Sequence, residues 1–465
     1  MSIRQLSARM RDEQSGMGIV EVIVALMVFS VLAIGMSYSL IAMTRLTADS
    51  SARETAANLA AAEIDRLHSI SDAFTIQEDD LVTRQVIVDG ITYHVATNTS
   101  WVGANGSTGK CGIGGGQLQY KRLRVTVTWD NMYLDRPVRA DSALAPSTRI
   151  NDPTAGTILV SVTRESGDGQ SGIAVSATKT SGGAGLSEAP AATDADGCSY
   201  VLKAPPGTYD ITTTKAGYIN TAQQLLPVTQ SITVTAGAAT PVALQEDLAQ
   251  SYTLKFAANS SRTVRLPTNL DVTYFGQSAA GPLNETATAT RKLYPWTSGY
   301  QAIAGNPTTC AAVDPELWTE TDSMYGATRA AKVPATAGGS ATLPAVMGVA
   351  DVQIPGSWWN SYYLTATAVS SPDAGNPGCE SAASTIYRFS SFQGGSTQTI
   401  ALPYGVWKLT YGTSSGSTSN NITSGVTVRD GVVKLDSTGY PMTGVSGGGD
   451  FSSNLLTLDP RAAKS

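Results

Sequence analysis

The sequence predicts an α+β chain: a long N-terminal transmembrane helix, a β-sheet head on its second half, and mostly antiparallel β-sandwich domains beyond. Three features carry this. The run from Met17 to Met43 is almost wholly apolar. The residues after it keep a helical apolar stripe. From Val82 onward the pattern changes to alternating strands broken by Gly, Pro, Asn and Asp.

Taken in order, the apolar run holds a single charged residue, Glu21. At a rise of about 1.5 Å per residue a helix from Met17 to Met43 reaches about 40 Å, enough to cross a hydrocarbon core of about 30 Å. A carboxylate inside such a segment costs about 2.5 to 3.5 kcal/mol on insertion, so Glu21 needs a cation or must snorkel to the headgroups from the helix end. Arg4, Arg9 and Arg11 precede the span and favour a cytoplasmic N-terminus. Gly16 lies just before it. A peptidase acting there cuts on the cytoplasmic side, whereas a secretory signal is cut after its apolar region, and no Ala-x-Ala-like site follows at the usual distance.

Gly16, Met17 and Glu21 at the head of this span resemble the prepilin signal of type IV pilins and the related pseudopilins. The resemblance implies that a prepilin peptidase cuts after Gly16, that Met17 becomes an N-methylated terminus, and that Glu21, now the fifth residue, serves subunit assembly. There its carboxylate neutralises the terminal amine of a neighbouring subunit, and each charge removes the other's burial penalty. Met17 stands where phenylalanine is usual and Gly18 where threonine is common, and Met36-Ser37-Tyr38-Ser39 lacks the proline of many major pilins. The resemblance ends near Ile70. Cleavage leaves 465 − 16 = 449 residues, long for a pilin and enough for several domains.

The expected organisation is a leader over 1–16, a long helix over 17–72 (spanning 17–43, amphipathic 44–70), a head over 73–150, a sandwich over 151–248 and a β-rich outer domain over 249–465. In the amphipathic part, Ala56, Leu59, Ala60, Ile64 and Leu67 form one stripe beside Arg53, Glu54, Glu63 and Arg66. A coiled-coil seam is the alternative, for which the stripe is short and Ala-rich. The head opens with Val82 to Val88, an Asp89-Gly90 hairpin turn and Ile91 to Thr97, then a loop from Gly103 to Gly116 and a strand from Leu118 to Trp129. Leu144 to Pro153 reads as a linker.

Gly156 to Leu244 carries strands at Gly156–Thr163 and Ile173–Thr178, the turn Asp194-Ala195-Asp196-Gly197, and Pro205-Pro206-Gly207 before Thr208-Tyr209-Asp210-Ile211. This block resembles the prealbumin-like β-sandwich of carboxypeptidase regulatory domains and Gram-positive adhesins. Some of those modules carry a Lys-Asn cross-link, but Val160 to Arg164 has no lysine, so none is expected. Asp194 to Gly197 reads as a turn rather than a calcium loop, because the later ligands are absent.

Beyond Ser251 the clearest strands are Tyr252–Phe256, Thr263–Leu266, Tyr362–Val369 and Thr399–Leu402, with a long insertion between Ala279 and Ala350. Pro205 to Thr212 aligns with Pro403 to Thr410 as a partial internal repeat, which would make the outer region a second sandwich. The four cysteines suggest two disulfides among three possible pairings. Cys310 with Cys379 is favoured by their similar Asn-Pro loops, with Cys111 and Cys198 paired by default or left as thiols. A bridge closing so long a loop contributes about 3 to 5 kcal/mol.

Catalytic chemistry is poorly supplied: His68 and His94 are the only histidines, and neither belongs to a nucleophile or zinc arrangement. No enzyme activity, cofactor or metal is expected. A net charge of −6 without a basic run does not support a nucleic-acid surface. Of the aromatic clusters around Tyr294, Trp296, Trp318, Tyr325 and Trp358 to Tyr363, most should fill cores. The adjacent Trp358 and Trp359 are expected on opposite sides of a strand, one of them exposed for a sugar or protein contact.

The expected function is that of a minor type IV pilin, a structural subunit that starts in the membrane and ends in a surface filament. Its partners would be prepilin peptidase, other subunits and a host or surface receptor. A pseudopilin of a type II secretion or DNA-uptake system and an uncleaved membrane-anchored adhesin are the alternatives.

Overall fold

The computed structural model describes residues 18–70, 72–78, 82–132, 136–146, 152–182, 184–277, 281–370 and 374–464. The leader, with Gly16 and Met17, lies outside them, as does most of the expected linker after Pro146. The chain divides into two units, one of 1–157 with 235–240 and one of 158–234 with 241–465.

In the first unit a single helix, α1, runs Ile19–His68. Its apolar first half is exposed, whereas Ala52, Ala56, Ala60 and Leu67 on the second half are buried. The covering sheet has four strands in the order β1 (Val82–Val88), β2 (Ile91–Gly103), β3 (Leu118–Trp129), β4 (Val138–Leu144). All its pairs are antiparallel. Asp89 and Gly90 turn the first hairpin with φ of 52° and 77°, the left-handed pair that matches strand twist. Val95 faces Val127 in register. On this face Tyr93, Val95, Val125, Val127 and Trp129 pack with the helix alanines. Small residues at three-to-four spacing let the sheet approach the helix backbone, so the second half of α1 is the floor of the head. The edge strand β4 was not expected from the sequence. Its residues alternate between half-buried and exposed and none is fully buried, so its inward face carries only Val138, Ala140, Ser142 and Leu144, a weak apolar signal.

In the second unit the first seven strands are β5 (Gly156–Thr163), β6 (Ala174–Ser181), β7 (Cys198–Ala204), β8 (Gly207–Thr214), β9 (Tyr218–Asn220), β10 (Val228–Val234) and β11 (Ala239–Leu248). They form two sheets, β7-β5-β11-β9 and β10-β8-β6. Between them lies a core that includes Ile158, Val160, Val162, Tyr209, Ile211 and Ile232. β5 is buried along almost its whole length, which fits its run of Ile158, Leu159, Val160 and Val162 without charged residues. Asp194 closes a turn: its Oδ1 accepts from the backbone of Asp196 at 3.0 Å and Cys198 at 2.8 Å.

The outer region is built from four further sheets. The largest, of six strands, is centred on Ser361–Ala368, Gly405–Gly412 and Leu455–Leu458. The stretch between Ala279 and Ala350, read as an insertion, contributes strands Leu283–Thr286, Thr290–Leu293, Gln301–Ala304 and Ser340–Ala345. The last of these runs parallel to Gln250–Phe256. Thr263–Leu266 is not a strand: only Arg265 bridges to Ile400, and Pro267 removes the donor that an extended ladder would need.

Candidate functional site

The N-terminal half of α1 is the first candidate. Gly18 is its extended N-cap and Glu21 sits in the first turn, where a carboxylate complements the helix dipole. Ile19, Met27, Phe29, Val31 and Met36 are each more than two-thirds exposed. The hydroxyls of the run are absorbed locally: Ser30 donates to the Leu26 carbonyl at 2.7 Å and Ser37 to that of Ala33 at 2.8 Å. Such back-bonding makes serine compatible with a lipid environment. By contrast, Glu21 stays an exposed carboxylate on an apolar surface. This is the one described helix long and apolar enough to cross a membrane.

Below the span the head is fastened by buried acids as well as alanines. Asp49 accepts from Arg53 at 2.9 Å, and Glu63 from Arg66 at 2.7 Å and Arg84 of β1 at 3.3 Å. The Arg66 hydrogen bond, with the charges of Arg66 and Arg84, holds the Glu63 carboxyl below the usual range against the opposing effect of burial. The Arg53 guanidinium lies 5.5 Å from the Trp129 ring centre. His68 Nε2 and Ser142 Oγ are 2.9 Å apart, and His94 Nε2 lies 3.2 Å from Asp130 Oδ1. Both histidines therefore serve structural contacts.

In the second unit Cys310 and Cys379 are joined in a disulfide. The two loops are built alike: Asn306 Oδ1 accepts from the Thr308 amide at 3.0 Å and Asn376 Oδ1 from the Gly378 amide at 2.9 Å. Cys111 and Cys198 are disulfide-bonded as well, and no cysteine is free.

Trp358 and Trp359 differ from expectation. They occupy a turn before the strand Ser361–Ala368, so the alternation of a strand does not separate them. Both are exposed, at 57% and 77%, and their rings lie against each other with centroids 3.8 Å apart and planes tilted by 33°. The turn is held from beneath. Gln393 donates to the Trp358 carbonyl at 2.8 Å, and Gly394 to that of Asn360 at 2.9 Å. Gly356, at φ 100°, leaves room for the Tyr362 ring, which a Cβ would meet at 2.7 Å. The rim of Ser357, Asn360, Tyr362 and Gln393 is polar and uncharged. Among the other aromatics Tyr294 and Trp318 are buried, with Trp318 Nε1 donating to the Ala312 carbonyl at 2.7 Å, whereas Tyr325 is half exposed.

Sequence reading missed several buried acids, Asp49 and Glu246 among them. Glu246 of β11 is fully buried and accepts from the Thr213 hydroxyl at 2.6 Å. No local pattern marks it, since Thr213 lies on a different strand.

No protein-family model matches the chain, and no curated protein does. Among solved structures, the TIE protein of Bacillus anthracis is 10% identical over 74% of this chain and 74% of its own, with a TM-score of 0.19. The major pilin subunit BcpA of Bacillus cereus is 11% identical over 67% of this chain and 95% of its own, also at 0.19. A streptococcal ancillary pilin is 8% identical over 56% and 80%, at 0.18. At these scores the likeness says nothing of what the chain binds or assembles with.

Proposed function

We propose that this chain is a minor type IV pilin, processed after Gly16 and carried into a surface filament by the first half of α1. The observation that supports it is one continuous helix with two different halves. The first is exposed, apolar and carries Glu21; the second is the floor of a four-stranded sheet. An exposed apolar helix in water must be covered. Lipid covers it before assembly and the helices of other subunits afterwards, with Glu21 paired to the amine of a neighbouring Met17. Carrying so large a β-region, the subunit suits a filament tip or a sparse position. The paired Trp358 and Trp359 rings are the contact surface for a host or surface receptor.

Mass spectrometry of the mature N-terminus tests the processing: a methylated Met17 is expected, and an intact Met1 would leave an uncleaved membrane-anchored adhesin. Glu21→Ala should lower the subunit's share in sheared filaments without changing the thermal unfolding of the head. A subunit confined to the cell envelope in both forms would mark a pseudopilin instead.

A further inference from the structure

Two neighbouring indoles left in water call for a cover, and the residues around them select it. Three stretches meet around the turn of Trp358 and Trp359, 352–363, 389–398 and 422–428, and none holds an Asp, Glu, Lys, Arg or His. Backbone hydrogen bonds lace them together: Ile354 donates to the Ser396 carbonyl at 2.8 Å, Gly395 to that of Ile354 at 2.7 Å and Gln353 to that of Gly425 at 2.8 Å. Of the large apolar side chains in these stretches only Trp358 and Trp359 are exposed. Every other exposed residue in them is Gly, Ser, Thr, Asn or Gln. Because the two rings lie against each other, each gives one face to its neighbour and keeps the other for solvent. Beside them the exposed Ser357 and Ser361 hydroxyls have no hydrogen-bond partner among the described residues, and the Asn360 amide only approaches the Tyr362 hydroxyl at 3.5 Å.

Most kinds of partner find no counterpart on this surface. A protein interface buries about 800 Å² on each side around an apolar centre, whereas here the apolar area ends with the two indoles. A membrane surface is gripped by an apolar face flanked by Lys or Arg, and these stretches have no basic residue. A quaternary ammonium is held by rings that enclose it, but these two are turned on each other. An acidic sugar would require a cation. An uncharged sugar requires only what is present: its C–H face lies on the electron-rich face of an indole, and its hydroxyls exchange water for neutral donors and acceptors at the rim. The hydrogen-bonded turn holds the rings in place beforehand, which lowers the ordering cost of so small a contact.

We infer that the turn of Trp358 and Trp359 binds an uncharged glycan, with one pyranose on the free face of Trp359, the more exposed ring, and its hydroxyls bonded by Ser357, Asn360 and Ser361. The inference rests on the reading of this pair as the receptor contact and gives that receptor its chemistry.

The test applies the labelled full chain, held in nanodiscs, to a printed array of neutral, sialylated and sulfated glycans. Binding is expected on neutral hexose-bearing glycans, falling about ten-fold or more in Trp359→Ala and in the double alanine variant, each checked for an unchanged melting temperature. No binding, binding led by the charged glycans, or binding that survives both variants would overturn the inference. A second measurement separates it from the reading beneath it: attachment of wild type and double variant to a surface that the wild type binds, before and after periodate cleavage of that surface's sugar diols. Attachment lost both with periodate and in the double variant supports the glycan. Attachment lost in the double variant but indifferent to periodate would overturn the glycan and keep the pair as a receptor contact. Attachment equal in wild type and double variant would overturn both.

Discussion

The indole N–H of Trp407 donates to the carbonyl of Pro403 at 2.9 Å, four residues back along the chain. Tyr209 does the same with its hydroxyl to the carbonyl of Pro205 at 2.7 Å. Each aromatic is fully buried and stands two residues after the glycine that opens its strand, Gly405 at φ 136° and Gly207 at φ 147°. The sequence repeat therefore encodes a common device: a proline turn, a glycine, and a buried aromatic whose polar edge ties the turn to the core. Tyr209→Phe removes only the donor and should cost about 1 kcal/mol. Trp407→Phe also opens space in the core and should cost more, about 2 to 3 kcal/mol. Chemical denaturation of the second unit checks the order; equal losses would mean that the hydrogen bond dominates at both sites.

Close packing of α1 under the sheet gives a second test. Ala56 is fully buried beside Tyr93 and Trp129, while Ala61 faces solvent. Ala56→Leu forces added methylenes into a filled interface and should destabilise the head by about 1 to 3 kcal/mol. Ala61→Leu should stay within about 0.5 kcal/mol of wild type. Thermal unfolding of detergent-solubilised protein distinguishes them, and a tolerated Leu at 56 would show that the head is loosely held.

How far the sequence reveals this arrangement depends on the range of the interaction. The stripe on α1, the Asp89-Gly90 hairpin and the buried strand β5 are readable because periodicity and turn chemistry are local. β4 is not, since the alternating inward positions of this edge strand are only half-buried and include Ala140 and Ser142, which signal little hydrophobicity. Thr263–Leu266 has the β-branched composition of a strand but meets a partner at Arg265 alone. The tryptophan pair was read at the wrong periodicity, because residues 358 and 359 belong to a turn. Asp49 and Glu246 were invisible for another reason: charge in a sequence signals solvent unless a tertiary partner is known.

Paired in the open, Trp358 and Trp359 should matter little to stability. Trp359→Ala is expected to change the unfolding free energy by less than about 0.5 kcal/mol, because the ring is mostly hydrated in the folded state. With the pair as the proposed contact surface, the double replacement by alanine should reduce attachment of cells or purified protein to a surface that the wild type binds. Undiminished attachment by a folded double variant would move the contact surface elsewhere.

Glu246 makes a prediction about pH. Burial pushes its carboxyl above the ordinary value of 4.5, and the Thr213 hydrogen bond offsets this only in part. Its Oε2 has no hydrogen-bond partner among the described residues, and Asn220, opposite in the β9 register, carries no charge. The folded state thus holds a proton that the unfolded chain releases above pH 4.5. Stability from this group is full below that pH and declines as pH rises through the folded value. Glu246→Gln keeps an oxygen for Thr213 and removes the titration. The melting temperature of the second unit in the variant, measured relative to wild type, should therefore increase as pH rises from 4.5 and level off once the folded-state carboxyl has ionised. A difference that is constant across the range would mean that Glu246 is ionised in the folded protein, with a cation or water supplying the missing partner.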